Sequence, residues 1–235
     1  MSYEERPPLR IVISDPKAGD KVVKVKVVGV EDIELKDTMV KSKDKERTEL
    51  PIARINEKLA DELGLKEVGV LTLRFRGEEG KRTNISFKVE INNDVPENTV
   101  QVSMELLGEV AGDLEAEAEA FRAKAWQIAV PEDVAIKLAG LQIGETFDGS
   151  LIGMEGLRFK IRGGSDASGF PMHPGVPGSG KKKVLLSGPP GYRPRRKGER
   201  KRKTVRGRVI PDPRGERRKT ALAQLNVVIY YEEES

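Results

Sequence analysis

Three stretches of this chain repeat one arrangement of residues, and that repetition narrows the fold more than any other feature. Ala53-Arg54-Ile55-Asn56 precedes Glu57 to Leu63, with Gly64-Leu65 and Gly69 behind it. Val100-Gln101-Val102-Ser103 precedes Met104 to Val110, and Ile128-Ala129-Val130-Pro131 precedes Glu132 to Leu138, followed by Gly140-Leu141 and Gly144. Each reads as a short strand, a helix-start residue and a short helix, and the first and third add a glycine stop. Asn56 and Ser103 can accept the orphan N–H groups of a first turn, and Pro131 suits the first helical turn. Leu59, Ala60 and Leu63 form one apolar stripe, as do Leu106, Leu107 and Val110, and Val134, Ala135 and Leu138. Strand–short helix–strand units of this kind recur in pseudo-symmetric β-barrels of the double-psi and cradle-loop type. The expected fold class is mainly β with short helices.

The remaining pattern adds strands. Leu9 to Ser14 and Lys21 to Val28 read as an antiparallel hairpin about the turn Asp15-Pro16-Lys17-Ala18-Gly19. Val70 to Arg76 and Thr83 to Glu90 alternate as strands. In Leu114 to Ala125, Ala and Glu favour a helix, but the period of two and the match to the other units select a strand. Gly149 to Ile161 reads as a turn-rich hairpin ending in a strand. Lys183 to Leu186 and Ala223 to Tyr230 complete the set, and the charged stretch Asp37 to Glu49 reads as a loop.

Composition removes several classes of function. There is no cysteine and a single histidine, His173. Disulfides, zinc knuckles and thiol catalysis lack their material, and a Ser–His–Asp triad or histidine metal site has almost none. No metal and no cofactor is expected. Gly175 to Lys181 imitates a phosphate-binding nucleotide loop, but Lys182 stands where that loop needs Ser or Thr, and a strand follows instead of a helix. No polar cluster suggests an active site, so the chain reads as a non-enzyme without a small-molecule substrate. Acids and prolines open the chain where a signal peptide needs an apolar run. No window approaches the ~18 apolar residues of a membrane helix. The expectation is a soluble protein that is not exported and meets no membrane.

Charge points to the partner. Lys160 to Ala221 holds 19 Lys/Arg against 4 Asp/Glu, a net of +15; the remainder holds 23 basic and 34 acidic residues, a net of −11. Such a split marks a segment that meets a polyanion. Within it, Arg193 to Arg208 (RPRRKGERKRKTVRGR) has ten Lys or Arg in sixteen residues, with Glu199 as the only acid. Pro194, Gly198 and Gly207 oppose a continuous helix, so the segment reads as an extended basic arm that orders on RNA. The candidate nucleic-acid-binding residues are Lys181, Lys182, Lys183, Tyr192, Arg193, Arg195, Arg196, Lys197, Arg200, Lys201, Arg202, Lys203, Arg206 and Arg208; charge alone does not decide between RNA and DNA. Tyr192 and Phe170 could stack on bases or pack internally. Gly163, Gly164, Asp166, Gly169 and Pro171 read as a tight structural loop in which the carboxylate locks a turn. A backbone-lined groove for RNA phosphate or sugar is the alternative.

The run IRGGSDASGFPM, followed by KKKVLLSGPPGYRPRRKGERKRKTVRG, resembles the eukaryotic- and archaeal-type small-subunit ribosomal protein six family. The opening LRIVISDPKAG and closing AQLNVVIY are similar to that family's first hairpin and last strand. The resemblance spans about residues 9–30 and 126–230. It implies a β-barrel core at 1–30 and 126–235, carrying the arm 193–208. The segment 31–125 then reads as an inserted β-rich domain, a second small barrel built from the same units. It also implies a structural constituent of the small ribosomal subunit in the cytoplasm, with ribosomal RNA and other small-subunit proteins as partners. The rival reading is a non-ribosomal RNA- or DNA-binding module of the chaperone kind. The acidic balance of the inserted segment favours a protein partner or solvent there.

Overall fold

The computed structural model describes residues 8–39, 47–76, 82–215 and 222–231. Its elements run β1 (Leu9–Ser14), β2 (Val23–Val30), β3 (Ile52–Ile55), α1 (Glu57–Leu63), β4 (Val70–Arg76), β5 (Arg82–Ile91), β6 (Thr99–Ser103), α2 (Met104–Ala111), β7 (Glu115–Arg122), β8 (Ala125–Val130), α3 (Glu132–Leu138), β9 (Thr146–Asp148), β10 (Arg158–Asp166), β11 (Lys181–Leu186), β12 (Lys201–Arg206) and β13 (Leu222–Ile229). The chain divides into two compact units, Met1–Ser14 with Ala129–Ser235, and Asp15–Ile128.

The 15–128 unit is a closed six-strand barrel in the order β2-β6-β3-β5-β4-β7. β2 runs parallel to β6 and antiparallel to β7, while β5 runs parallel to β3 and antiparallel to β4. β3 meets β6, and β4 meets β7, both antiparallel. Exchanging β2, β3, α1 and β4 for β5, β6, α2 and β7 leaves this set of pairings unchanged, so the barrel is pseudo-twofold. Alternation fills it: Val25, Val27, Leu71, Leu73, Phe75, Ile85, Phe87, Val100 and Val102 point inward with the stripes of α1 and α2. In β7 the glutamates face out, and Ala118 and Ala120 lie opposite Phe75 and Leu73. Small residues there make room for large ones, and the strand reading of this Ala/Glu run holds because barrel packing outweighs helix propensity. α1 is capped as its sequence suggests: Asn56 Oδ1 accepts the Lys58 N–H at 2.9 Å, and Gly64 closes the helix at φ 65°. Ser103 occupies the N-cap of α2 without a side-chain bond.

The expected hairpin of the first two strands does not form. β1 lies between β8 and β13, parallel to β13, whereas β2 belongs to the barrel. Each strand takes other partners: β1 pairs with the last strand, and β2 pairs with β6 and β7. Asp15, just after β1, has a fully buried side chain that accepts the Lys17 N–H at 2.9 Å and the Arg122 Nε–H at 2.6 Å. The two compact units meet at 14/15 and 128/129.

The unit that holds both termini is not a closed barrel. Its sheet is open, a half-barrel in the order β8-β1-β13-β10-β9. β9 has three residues, too few to carry the ladder round, and beyond it single bridges such as Gln142 with Val209 take over. Ile11, Ile13, Phe159, Ile161, Leu225, Val227 and Ile229 fill its core together with Leu138 of α3. β11 and β12 form a separate two-stranded ribbon.

Candidate nucleic-acid interface

The basic strip folds into a hairpin ribbon rather than an extended arm. β11 and β12 pair antiparallel from Lys181 opposite Arg206 to Leu186 opposite Lys201. Residues directly opposite share a face, so Val184, Leu186 and Val205 come to one side. There they pack on Val176 with Tyr192 in a small core of their own. Three apolar side chains in a cationic run thus fix the register that the charge pattern left open. Arg193 to Arg200 forms the irregular part of the connection. Tyr192 is half-buried and packs against the ribbon's small core.

The base of the ribbon is held by a buried carboxylate. Gly163-Gly164-Ser165-Asp166, read from sequence as a loop, is instead the bulged end of β10, with register shifts after Ile161 and Ser165. The glycine is needed because a Cβ on Gly164 would lie 2.4 Å from the Gln224 carbonyl oxygen. That space and the Gly164 carbonyl, which accepts the Met172 N–H at 2.8 Å, are taken by protein. Gly164 therefore lines no backbone groove. The bulge aims Asp166 inward. Its Oδ1 accepts the N–H groups of Ser168 (2.9 Å) and Phe170 (2.8 Å), with Gly169 left-handed at φ 82°. The carboxylate thus locks its turn, and Pro171 follows with a carbonyl that accepts the Arg206 N–H at 2.9 Å. Asp166 Oδ2 faces Lys181 Nζ at 2.8 Å and the Arg206 guanidinium at 3.8 Å.

Two of the candidate cations are engaged within the protein. Arg206 is only 1% exposed, and its guanidinium donates to the Ser179 carbonyl at 3.0 Å. Lys181 is ion-paired with Asp166, and its ammonium sits 4.7 Å from the centroid of Phe170. Both cations face the buried Asp166, because a buried carboxylate needs a paired charge, and of the two Lys181 stays part-exposed. Nothing in the sequence separated them from their neighbours, since the pairing depends on which strand residue lands over Asp166. Lys182, Lys183, Arg193, Arg195, Arg196, Lys197, Arg200, Lys201, Arg202, Lys203 and Arg208 are exposed. In Pro211 to Thr220, a second GERRKT-like stretch that echoes Gly198 to Thr204, residues 216–220 lie outside the described residues.

One residue of the site is not legible as functional in the sequence. Glu199 Oε2 accepts the N–H groups of Arg195 (2.9 Å) and Arg196 (3.3 Å), and its own N–H donates to the Arg196 carbonyl at 3.2 Å. The only acid of the strip is therefore the pin of a turn, with Gly198 at φ 83°. The neighbouring Tyr192 hydroxyl, followed by the Arg195 N–H, holds the Glu199 carboxyl below its ordinary value. The same proximity raises the Tyr192 phenol. That hydroxyl is enclosed and has no hydrogen-bond partner within the usual angular range among the described residues. No group of three or more His, Asp or Glu able to hold a metal occurs among the described residues.

Comparison with known proteins places the chain first among ribosomal proteins: the family model described as Ribosomal protein S6e matches residues 118–235. The chain is 69% identical over 228 residues to the small ribosomal subunit protein eS6 of Aeropyrum pernix, covering 97% of each chain. It is 49% identical over 227 residues to the protein of the same name from Hyperthermus butylicus, covering 96% of this chain and 98% of that one. The chain belongs to the Ribosomal protein S6e family. Both alignments are long enough to run through the 15–128 barrel, so these relatives share that unit. Among solved structures, it is similar over 44% of its length to the whole of the computationally designed msDPBB_sym2 protein, at 19% identity and a TM-score of 0.31.

Proposed function

We propose that the chain is a structural constituent of the small ribosomal subunit in the cytoplasm and binds that subunit's RNA through the exposed cations of the 182–208 ribbon. The observation that carries this reading is the near-full-length identity to proteins named for that subunit. The ribbon supplies a physical reason. Its exposed side chains are almost all of one sign, and their mutual repulsion is relieved when phosphates replace water and counterions around them. Arg side chains add forked contacts to phosphate oxygens. The 15–128 unit holds 19 basic and 24 acidic residues. A net negative surface is repelled by RNA, so this unit faces other small-subunit proteins or solvent.

Fractionation of a lysate provides the test. The protein co-sediments with small subunits at moderate salt, and its affinity for a small-subunit ribosomal RNA transcript falls about a thousandfold or more between ~50 and ~200 mM salt if roughly 6–10 cations meet phosphates. Reversal of Lys182, Arg195, Lys201 and Lys203 to Glu abolishes both. Protein that stays free of ribosomal particles, or a quadruple variant that binds as well as the parent, refutes the reading.

A further inference from the structure

The exposed cations of the ribbon are not equivalent. Arg193, Arg195, Lys201 and Lys203 line one concavity of about 450 Å³, together with Gly191, Tyr192 and Glu199. Lys197, Arg200 and Arg202 lie outside it. Its floor is rigid. Gly191 is left-handed at φ 97°, and a Cβ there would come within 2.8 Å of Val205 Cγ1 and 3.1 Å of Leu186 Cδ1, so the backbone lies flat on the ribbon's apolar core. Its rim is the turn that Glu199 closes through the Arg195 and Arg196 N–H groups.

We propose that this concavity is a preformed seat for a single phosphate of the RNA backbone, and that Glu199 is the positioning residue that shapes it. The proposal rests on the RNA-binding reading and sharpens it. Four cations converge around one hollow, and the only anion there is committed to backbone N–H groups. An anion is what that field attracts. A phosphate, with several acceptor oxygens, can be shared by arginine forks and lysine ammonium groups at once. A base edge has no comparable charge. Because the backbone of the rim and floor is already held, less main-chain ordering is lost on binding, and preorganisation of this kind raises affinity without new contacts.

The consequence runs against simple electrostatics. Glu199 is a negative charge on a surface that binds a polyanion, so its removal by charge alone strengthens binding. If it shapes the seat, Glu199→Ala weakens binding. The experiment measures affinity of the full-length protein for a small-subunit ribosomal RNA transcript across a salt series, with melting temperature alongside. Glu199→Ala is expected to bind roughly three- to tenfold more weakly. Its salt slope falls by roughly one, as the loss of one phosphate contact requires, while the melting temperature is unchanged. Glu199→Gln, which keeps a carbonyl oxygen able to accept the same two N–H groups without the charge, lies between the parent and Glu199→Ala. The pair Arg195→Ala/Lys203→Ala loses more affinity than Lys197→Ala/Arg202→Ala, although each removes two cations, and adding Glu199→Ala to the first pair costs nothing further. A second arm titrates inorganic phosphate at constant ionic strength and follows the Arg195 amide resonance. No saturating shift at millimolar phosphate is expected, because one free ion lacks the neighbouring contacts of a chain. Equal or tighter binding by Glu199→Ala, or equal losses from the two cation pairs, overturns the seat. A saturating phosphate titration together with an unaffected Glu199→Ala assigns the hollow to free anions instead. Failure of the parent protein to bind RNA at all removes the functional reading, and is distinguishable because no variant need be compared.

Discussion

The 15–128 barrel and the 181–208 ribbon are both rich in charge and dispose of it in opposite ways. On the barrel, charges cancel across strands: Lys26 meets Glu115 at 2.6 Å, Arg74 and Arg76 both meet Glu119, and Lys66 bridges Glu57 and Asp61. On the ribbon, Lys181 and Arg206 meet Asp166 at its base, and the cations beyond them face outward. Charges paired within the chain attract a polyanion far less than unpaired cations do. A surface whose counter-charge is external is a binding surface. The difference does not come from residue type, since Lys and Arg serve both. It comes from whether the facing strand supplies carboxylates.

Three perturbations break or sharpen this contrast. The largest acts on the buried pairing. Asp166→Ala leaves Lys181 and Arg206 without their anion in a site where the carboxylate is fully enclosed. A loss of about 3–5 kcal/mol in the unfolding free energy of the unit carrying the ribbon is expected by denaturant titration, and ribbon amides exchange faster. An unchanged midpoint means that the ribbon does not depend on Asp166.

The second tests how little an exposed pair on the barrel matters. Lys26 and Glu115 are each more than half exposed. A double-mutant cycle through Lys26→Ala and Glu115→Ala is expected to give a coupling of about 0.5 kcal/mol that vanishes in high salt. A coupling of several kcal/mol contradicts the picture of a solvated ladder.

The smallest is local and set by pH. Glu199 is held below the ordinary carboxylate value by its Tyr192 and backbone neighbours. A depressed folded-state pKa makes the turn's extra stability complete above the unfolded value and lost as pH falls through the lowered one. The Arg195 and Arg196 amide resonances therefore stay constant from neutral pH to the ordinary carboxylate range and move only below it. Movement centred above that range refutes the assignment.

Much of the fold is readable because strands announce themselves by alternation. Val70 to Arg76 has the bounds of β4, and the Glu-Ala run becomes β7 with its alanines inward. The pairing of the first two strands is not legible, because adjacency in sequence does not fix which strands pair. β1 has three buried side chains, Leu9, Ile11 and Ile13, and its neighbour is the last strand of the chain. The basic site was visible as charge. The apolar side chains that give it a fold, Val184, Leu186 and Val205, were hidden within the same run.

The chain's order of residues settled by itself what depends on near neighbours. Local periodicity set the strands and short helices, Asn56 and Gly64 set the ends of α1, and charge density set the chemistry of the partner. The tertiary structure alone decided what depends on distant neighbours. It chose which unit claims β2, left one sheet open and closed the other, and drew Arg206 and Lys181 into the protein while leaving Lys201 and Lys203 outside. The reason is that burial and charge pairing are properties of surroundings. Whether a lysine meets a carboxylate or water is fixed only when strands far apart in the chain come to lie side by side.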